Sequence, residues 1–305
     1  NVSGEGFKYV FNRTDGQLTS MVVQDMELLE SPLRLNLWRA PLANELDNWN
    51  ASSARSSNWK EGYEYTVATE MYSAGIDRLT HQPLSFSVSE TTEGVHIHII
   101  DAELMGKGEK EKKDLYIEGV QNNGIINHYE YIINSEGTIE IRHVLKPEGK
   151  MPLWFPRIGL TLTVSDALDQ VKWYGRGPQE NYPDRKTGYP TGIYASTVQA
   201  MYEPYLMPQD YGLRTDVRWL QLTTDKGIGL QFKMNEWFNF NIYPYSTDNL
   251  TKAMYTYQLQ KQKGMTLNLD YATTGVGCTA RGVFGAYKAM PQEYRRTISI
   301  RPMMK

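Results

Sequence analysis

Thr138-Ile139-Glu140-Ile141-Arg142-His143-Val144 changes side at every step. On an extended backbone, successive side chains point to opposite faces, so Ile139 and Ile141 share one face while Glu140 and Arg142 share the other. The same period of two recurs in Val95-His96-Ile97-His98-Ile99 and in Thr297-Ile298-Ser299-Ile300. Between such runs stand turn formers: Asp15-Gly16, Glu93-Gly94, Glu136-Gly137, Asp225-Lys226-Gly227 and Lys263-Gly264. The 21 Tyr, 8 Phe and 7 Trp add residues that suit pleated, half-buried surfaces. Helical periodicity is scarce, and Asp248 to Leu259 is the one stretch that reads as a short amphipathic helix. The pattern predicts an all-β chain of antiparallel sheets packed as a sandwich, with few short helices.

The chain has 305 residues, more than one average domain but within reach of a single large β unit. No Pro/Ser-rich linker divides it, so residues 1–305 read as one domain, with sub-lobes 1–165 and 166–305 as the conceivable division. Thirty-two basic against 35 acidic residues give a net charge of −3. Nucleic acids and anionic membranes both call for clustered Lys and Arg, and neither is expected as a partner. No stretch approaches the roughly 20 apolar residues needed to span a bilayer. The single cysteine, Cys278, excludes an internal disulfide and a cysteine-built zinc site. The chain opens at Asn1, without Met or a signal-like region, directly into the alternating Phe7-Lys8-Tyr9-Val10-Phe11, as expected of a fragment of a longer polypeptide. Its compartment is left open.

Two stretches break the strand rhythm. Asn44 to Lys60 is rich in Ser and Asn, carries Trp49 and Trp59, and reads as a long loop of the kind that serves binding. Met105 to Lys113 reads as a solvated hairpin tip. His96 and His98 lie two apart on a strand and could ligate a metal. The plainer account turns both to solvent and leaves Val95, Ile97 and Ile99 in the core, because no third ligand is near in sequence. His81, His128 and His143 stand alone, and no metal site is assigned. The sequons at Asn1, Asn12, Asn50 and Asn249 are too short a pattern to carry weight. No phosphate loop, nucleophile elbow or CxxC site is present.

The densest feature is Trp173-Tyr174-Gly175-Arg176-Gly177-Pro178-Gln179-Glu180-Asn181-Tyr182-Pro183-Asp184-Arg185. Aromatic rings, two glycines, two prolines and four charges describe a rigid turn held by ion pairs. The same groups would suit a sugar, through ring stacking and charge-assisted hydrogen bonds. The chemistry favours a structural turn, with Trp173, Gly175, Arg176, Gly177, Pro178, Glu180, Asn181, Asp184, Arg185, Arg214 and Asp216 as its members.

That run, followed by Tyr202-Glu203-Pro204-Tyr205-Leu206-Met207-Pro208-Gln209-Asp210-Tyr211-Gly212-Leu213-Arg214-Thr215-Asp216-Val217-Arg218-Trp219, resembles the C-terminal, small-chain domain of glycoside hydrolase family 2 β-galactosidases. Gly4 to Phe11, Leu37-Trp38-Arg39-Ala40-Pro41, Pro244-Tyr245-Ser246 and Leu267-Asn268-Leu269-Asp270 follow the family order. The resemblance implies a galactose-mutarotase-like supersandwich and a non-catalytic role. In such enzymes two glutamates on a preceding TIM barrel hydrolyse β-galactosides with retention, and this domain covers the barrel mouth. Here neither glutamate nor a barrel pattern is found, so no catalytic residue is expected in the chain. The implied partners are a β-galactoside-type carbohydrate and the barrel domain, in a homo-oligomeric parent. The family's magnesium and sodium ions belong to its other domains, and no cofactor is expected here.

Pocket-facing positions depart from the family. After Arg39-Ala40-Pro41 the family has Thr-Asp-Asn-Asp, where this chain has Leu42-Ala43-Asn44-Glu45. Near the end, the family's Gly-Val-Gly-Gly-Asp-x-Ser-Trp is replaced by Gly275-Val276-Gly277-Cys278-Thr279-Ala280-Arg281-Gly282, without the stacking Trp. Asn44, Glu45, Asp47, Trp49, Trp59 and Phe284 are therefore the candidates for the substrate rim. The competing readings are a stand-alone carbohydrate-binding module, which needs an exposed aromatic platform, and a mutarotase-type epimerase, whose acid and base motifs these histidines do not match.

Overall fold

A computed structural model describes residues 1–46, 68, 71, 74–106, 123–278 and 282–304. A small antiparallel sheet opens the chain: β1 (Val2–Gly4), β2 (Phe7–Asn12), β3 (Gln17–Val23) and β4 (Met26–Glu27). The large sheet holds twelve strands among the described residues. Its first half contributes β5 (Leu29–Asn36), β6 (Thr80–Thr91), β7 (Gly94–Leu104), β8 (Gly124–Ile133), β9 (Ile139–Glu148) and β10 (Arg157–Val164). Its second half contributes β11 (Gln170–Arg176), β12 (Thr191–Thr197), β13 (Arg214–Thr223), β14 (Gly229–Tyr243), β15 (Met265–Thr273) and β16 (Tyr294–Met303). The main path runs β12-β11-β13-β14-β16-β9-β8-β7-β6, all antiparallel, and β5-β10-β15 branches from β14. The fold is all-β, as the alternation predicts.

Strand pairing crosses position 165 twice, where β9 meets β16 and where β10 lies between β5 and β15. One apolar cluster joins the sheets. It includes Tyr9 and Met21 from the small sheet, Ile139 and Ile141 from β9, Leu160 from β10 and Phe240 from β14. Burying one such side chain is worth roughly 1.5–3 kcal/mol. Every turn glycine read from the sequence has a positive φ: Gly16 at 71°, Gly94 at 138°, Gly137 at 77°, Gly227 at 82° and Gly264 at 77°. At Gly94 a Cβ would also stand 2.1 Å from the Ile133 carbonyl oxygen.

The stretch Asp248 to Leu259 corrects one expectation. It is not a single helix. Helix α1 is the short Ala43–Leu46, and α2 covers Thr247–Lys252, capped by Ser246, whose hydroxyl accepts from the Asn249 N–H at 3.0 Å. The chain then extends at Ala253 and makes one 3-10 turn, Thr256–Gln258. Side chains compete with the helix here. The Gln258 Oε1 accepts from the Met254 and Tyr255 amides at 2.7 and 3.1 Å, and Asn249 grips the Gln258 carbonyl and the Gln260 amide. No helix among the described residues is long and apolar enough to cross a membrane.

Candidate functional site: a loop rim on a buried polar floor

The segment Gly275–Gly277, just beyond β15, is held from three sides. From below, the fully buried Arg39 donates to the carbonyls of Thr274 at 2.7 Å and Gly275 at 3.1 Å. Its remaining partner is Glu45, at 2.6 Å. From the Trp173–Arg185 turn, Asp184 accepts the Val276 amide at 3.0 Å and the Gly277 amide at 2.7 Å. A side chain on Gly275 would begin 2.3 Å from the Asp184 carboxyl carbon, so only glycine lets the two segments meet. From α1, Asn44 donates to the carbonyls of Val276 and Gly277 at 3.0 and 3.4 Å. Phe284 follows the loop and is 72% exposed.

Of the six rim candidates, the structure thus brings Asn44 to the rim and leaves Phe284 exposed beside it. Glu45 faces inward, because it neutralises Arg39 and accepts the Leu42 amide at 2.9 Å. Asp47, Trp49 and Trp59 lie outside the described residues, as do positions 107–113 of the expected hairpin tip.

Below the rim lies a second layer of polar groups. Arg157, fully buried, donates to Asp210 at 3.1 Å and stands 3.5 Å from Asp270. Asn241 donates to both oxygens of Asp210 at 3.1 Å and receives Asn268 at 2.9 Å. Burial pushes the Asp270 carboxyl up to about 6 despite Arg157, and raises Asp210 in the same sense. Sequence reading missed Arg157 and Asn241, which sit within otherwise ordinary strands. The signal was faint: Arg157 is a charge at the head of β10, whose first four residues are all buried.

The Trp173–Arg185 turn is held partly by its own groups and largely by residues that follow it, from Lys186 to Asp216. Arg176 donates to Asp216 at 2.6 Å and to the carbonyls of Lys186 and Tyr189 at 3.1 and 2.9 Å. Lys186 completes the pair on Asp216 at 2.8 Å. Burial raises the Asp216 carboxyl, but the bonds from Lys186 and Arg176 outweigh it and hold the group below its usual range. Glu180 accepts from Arg185 at 2.9 Å, from the Gly212 amide at 2.8 Å and from the Tyr205 hydroxyl. Asn181 is fully buried and accepts from Thr215. Trp173 donates to the Arg176 carbonyl at 3.0 Å, with Arg214 over its ring at 5.4 Å. Gly175 leaves no room for a Cβ, which would meet the Val217 Cα at 2.9 Å. The Gly177–Pro178 peptide is cis.

Three histidine readings change, one of them His81, whose ring nitrogens lie 2.8 Å from Glu103 and 2.7 Å from the Asp15 carbonyl. His96 is buried, not turned to solvent, and the neighbouring strand supplies the third group: Glu130 lies 3.3 Å from His96 and 4.0 Å from His98. His143 is not isolated either. It stacks on Tyr129 at 4.2 Å between the Tyr271 hydroxyl (2.6 Å) and Asn127 (3.0 Å), and burial lowers it to about 3.

The profile of the beta galactosidase small chain matches residues 3–300. The chain belongs to the beta galactosidase small chain family. Curated relatives of this small chain include the beta-galactosidase of Priestia megaterium, 32% identical over 276 residues, and that of Vibrio cholerae, 30% identical over 271. These matches cover 90% and 88% of the chain but 23% of each relative, so the chain spans about a quarter of their length. Among solved structures, a GalM/aldose epimerase homologue from C. elegans aligns over 98% of the chain and 97% of its own, at 10% identity and a TM-score of 0.47. Galactose 1-epimerase from Lactobacillus acidophilus aligns over 98% and 92%, at 10% identity and a TM-score of 0.48.

Proposed function

We propose that this small chain is the non-catalytic C-terminal domain of a family 2 retaining β-galactosidase. In this reading it caps a barrel active site and adds to carbohydrate binding and selectivity. One observation carries it: both described carboxylates at the rim are already committed. Glu45 spends its two oxygens on Arg39 and the Leu42 amide, and Asp184 spends its two on Val276 and Gly277. Retaining hydrolysis needs two free carboxyls about 5–5.5 Å apart, and committed ones cannot cycle between acid, base and nucleophile. What remains is a fixed backbone edge with an exposed aromatic ring, a surface that binds a sugar without cleaving it.

The purified chain should bind β-galactosides weakly and should not hydrolyse an aryl β-galactoside. Joined to the barrel portion of a relative, it should restore turnover that the barrel alone lacks. Turnover by the purified chain, abolished by one carboxylate substitution within it, would overturn this reading.

A further inference from the structure

The core face of β7 is interrupted. Ile97 and Ile99 are buried on it, and the same face continues with Asp101 and Glu103, only 6% and 5% exposed. Carboxylates rarely sit where a strand's alternation calls for apolar side chains, and when buried they are paired or hold a metal. His81 of β6 stands directly opposite Glu103, with its Nδ1 2.8 Å from the Glu103 Oε1, and Arg34 of β5 lines the same cavity.

The other imidazole nitrogen fixes the chemistry. The His81 Nε2 lies 2.7 Å from the Asp15 carbonyl, which can only accept, so Nε2 carries a proton. This leaves Nδ1 as the atom that faces the carboxylates. A metal-ligating imidazole is oriented in just this way, through a backbone carbonyl on its outer nitrogen. The carboxylates are oriented as well. Asn127 donates to the Asp101 Oδ1 at 2.7 Å and is itself held by the buried His143 at 3.0 Å. Among the described residues, the Asp101 Oδ2 and Glu103 Oε2 have no hydrogen-bond partner. They border a cavity under Gly16 and Tyr129 with room for a single water-sized guest.

We propose that His81, Asp101 and Glu103 bind a divalent transition-metal ion, of the zinc or manganese kind, at the junction of the small and large sheets. One ligand atom from each lies within 4.8 Å of the other two. Tetrahedral donors on bonds of about 2.1 Å stand roughly 3.4 Å apart, so a modest opening of the His81–Glu103 pair admits the ion. One imidazole with two carboxylates suits zinc or manganese better than calcium, which takes six to eight oxygens. Without an ion, one imidazole faces two carboxylates. The ion would take the place of the Nδ1 proton. It would fasten the β2–β3 turn, through the Asp15 carbonyl, to β6 and β7; a Cβ on Gly16 would stand 2.8 Å from Ile99. The outer group His96, His98 and Glu130 is the weaker competitor, because Arg142 already occupies Glu130 at 3.2 Å and His98 is exposed.

The test is metal uptake by the chain after dialysis against chelator. Calorimetric titration with Zn2+ and separately with Mn2+, at pH 7.5, should give one site per chain and a higher melting temperature. Asp101→Asn and Glu103→Gln should each weaken that affinity at least tenfold and remove the metal-dependent rise in melting temperature. His98→Ala should change neither. Absence of uptake by the wild type would overturn the proposal, as would uptake lost in His98→Ala but kept in Asp101→Asn. Should one inward variant fail to fold, the other decides.

Discussion

Arg157 and Arg176 both face an aspartate, and the two pairs behave in opposite ways. Arg157 lies between Asp210 and Asp270 with every side chain shut away from water. Arg176 meets Asp216 on the turn, with a quarter of its own side chain exposed and Lys186 sharing the acid. In the floor, one cation touches two carboxylates, with Arg39 acting only from further off, so burial dominates and the acids are pushed up. In the turn, two cations serve one carboxylate, and the acid is held down. The ratio of charges and the access of water thus decide whether an ion pair resists or rewards ionisation.

The largest expected effect is in the floor. Arg157→Met leaves Asp210 and Asp270 buried without their cation, and breaking a buried pair from one side costs about 3–5 kcal/mol. Urea unfolding at pH 7 should show a loss of that size. A loss under about 1 kcal/mol would mean that water reaches the floor and that it does not differ in kind from the turn.

The second expectation is a difference in pH sign. Asp270 has a folded value of about 6, above the usual 3.8. Its contribution is therefore fully present below about pH 3.8 and is lost as pH rises towards 6, by about 2–3 kcal/mol. Asp216 has the opposite sign: its contribution is present above the unfolded value and is lost as pH falls through the lowered folded one. Asp270→Asn should flatten the stability profile between pH 4 and 6. Asp216→Asn should leave that window alone and cost stability at pH 7, by an amount that shrinks as pH falls below 3.8. Asparagine tolerates the positive φ of 55° at this position, so the second variant tests charge without strain. Profiles that respond the other way round would invert the comparison.

In the turn itself, Arg176→Ala should cost about 1–3 kcal/mol, since it frees Asp216 and two carbonyls of which solvent can re-satisfy part. An unchanged melting temperature together with altered sugar binding would make the turn a sugar site and not a brace.

The sequence discloses these regions unevenly. Alternation placed β7, β9 and β16, and the glycine turns fell where a left-handed backbone was expected, because both signals are local. The dense turn was visible as a unit, yet Arg176 finds its acid 40 residues on, at Asp216. The floor joins positions 157, 241 and 270 through strand order and takes Asp210 from the segment before β13, and periodicity encodes neither. The helix at Asp248 to Leu259 failed because Gln258 and Asn249 outbid the helical hydrogen bonds, a choice hydrophobic spacing does not register. Asp101 and Glu103 were legible only as a breach of pattern.

The smallest effect on stability, and the sharpest on function, belongs to Phe284. Its ring is 72% exposed beside the braced Gly275–Gly277 segment and caps no helix through its side chain. Truncation of so exposed a ring should move stability by no more than about 0.5 kcal/mol, against several for Arg157. If the rim receives a sugar, that ring is its most available stacking face, and stacking contributes about 0.5–1.5 kcal/mol between aromatic groups. In a full-length enzyme carrying this small chain, Phe284→Ala should then lower kcat/KM for an aryl β-galactoside by roughly 2–12-fold, with the melting temperature unchanged. Tyrosine at the same position should restore the rate, since it keeps the ring. Unaltered kinetics in the alanine variant would remove Phe284 from the rim and leave the contact with sugar to groups other than this ring.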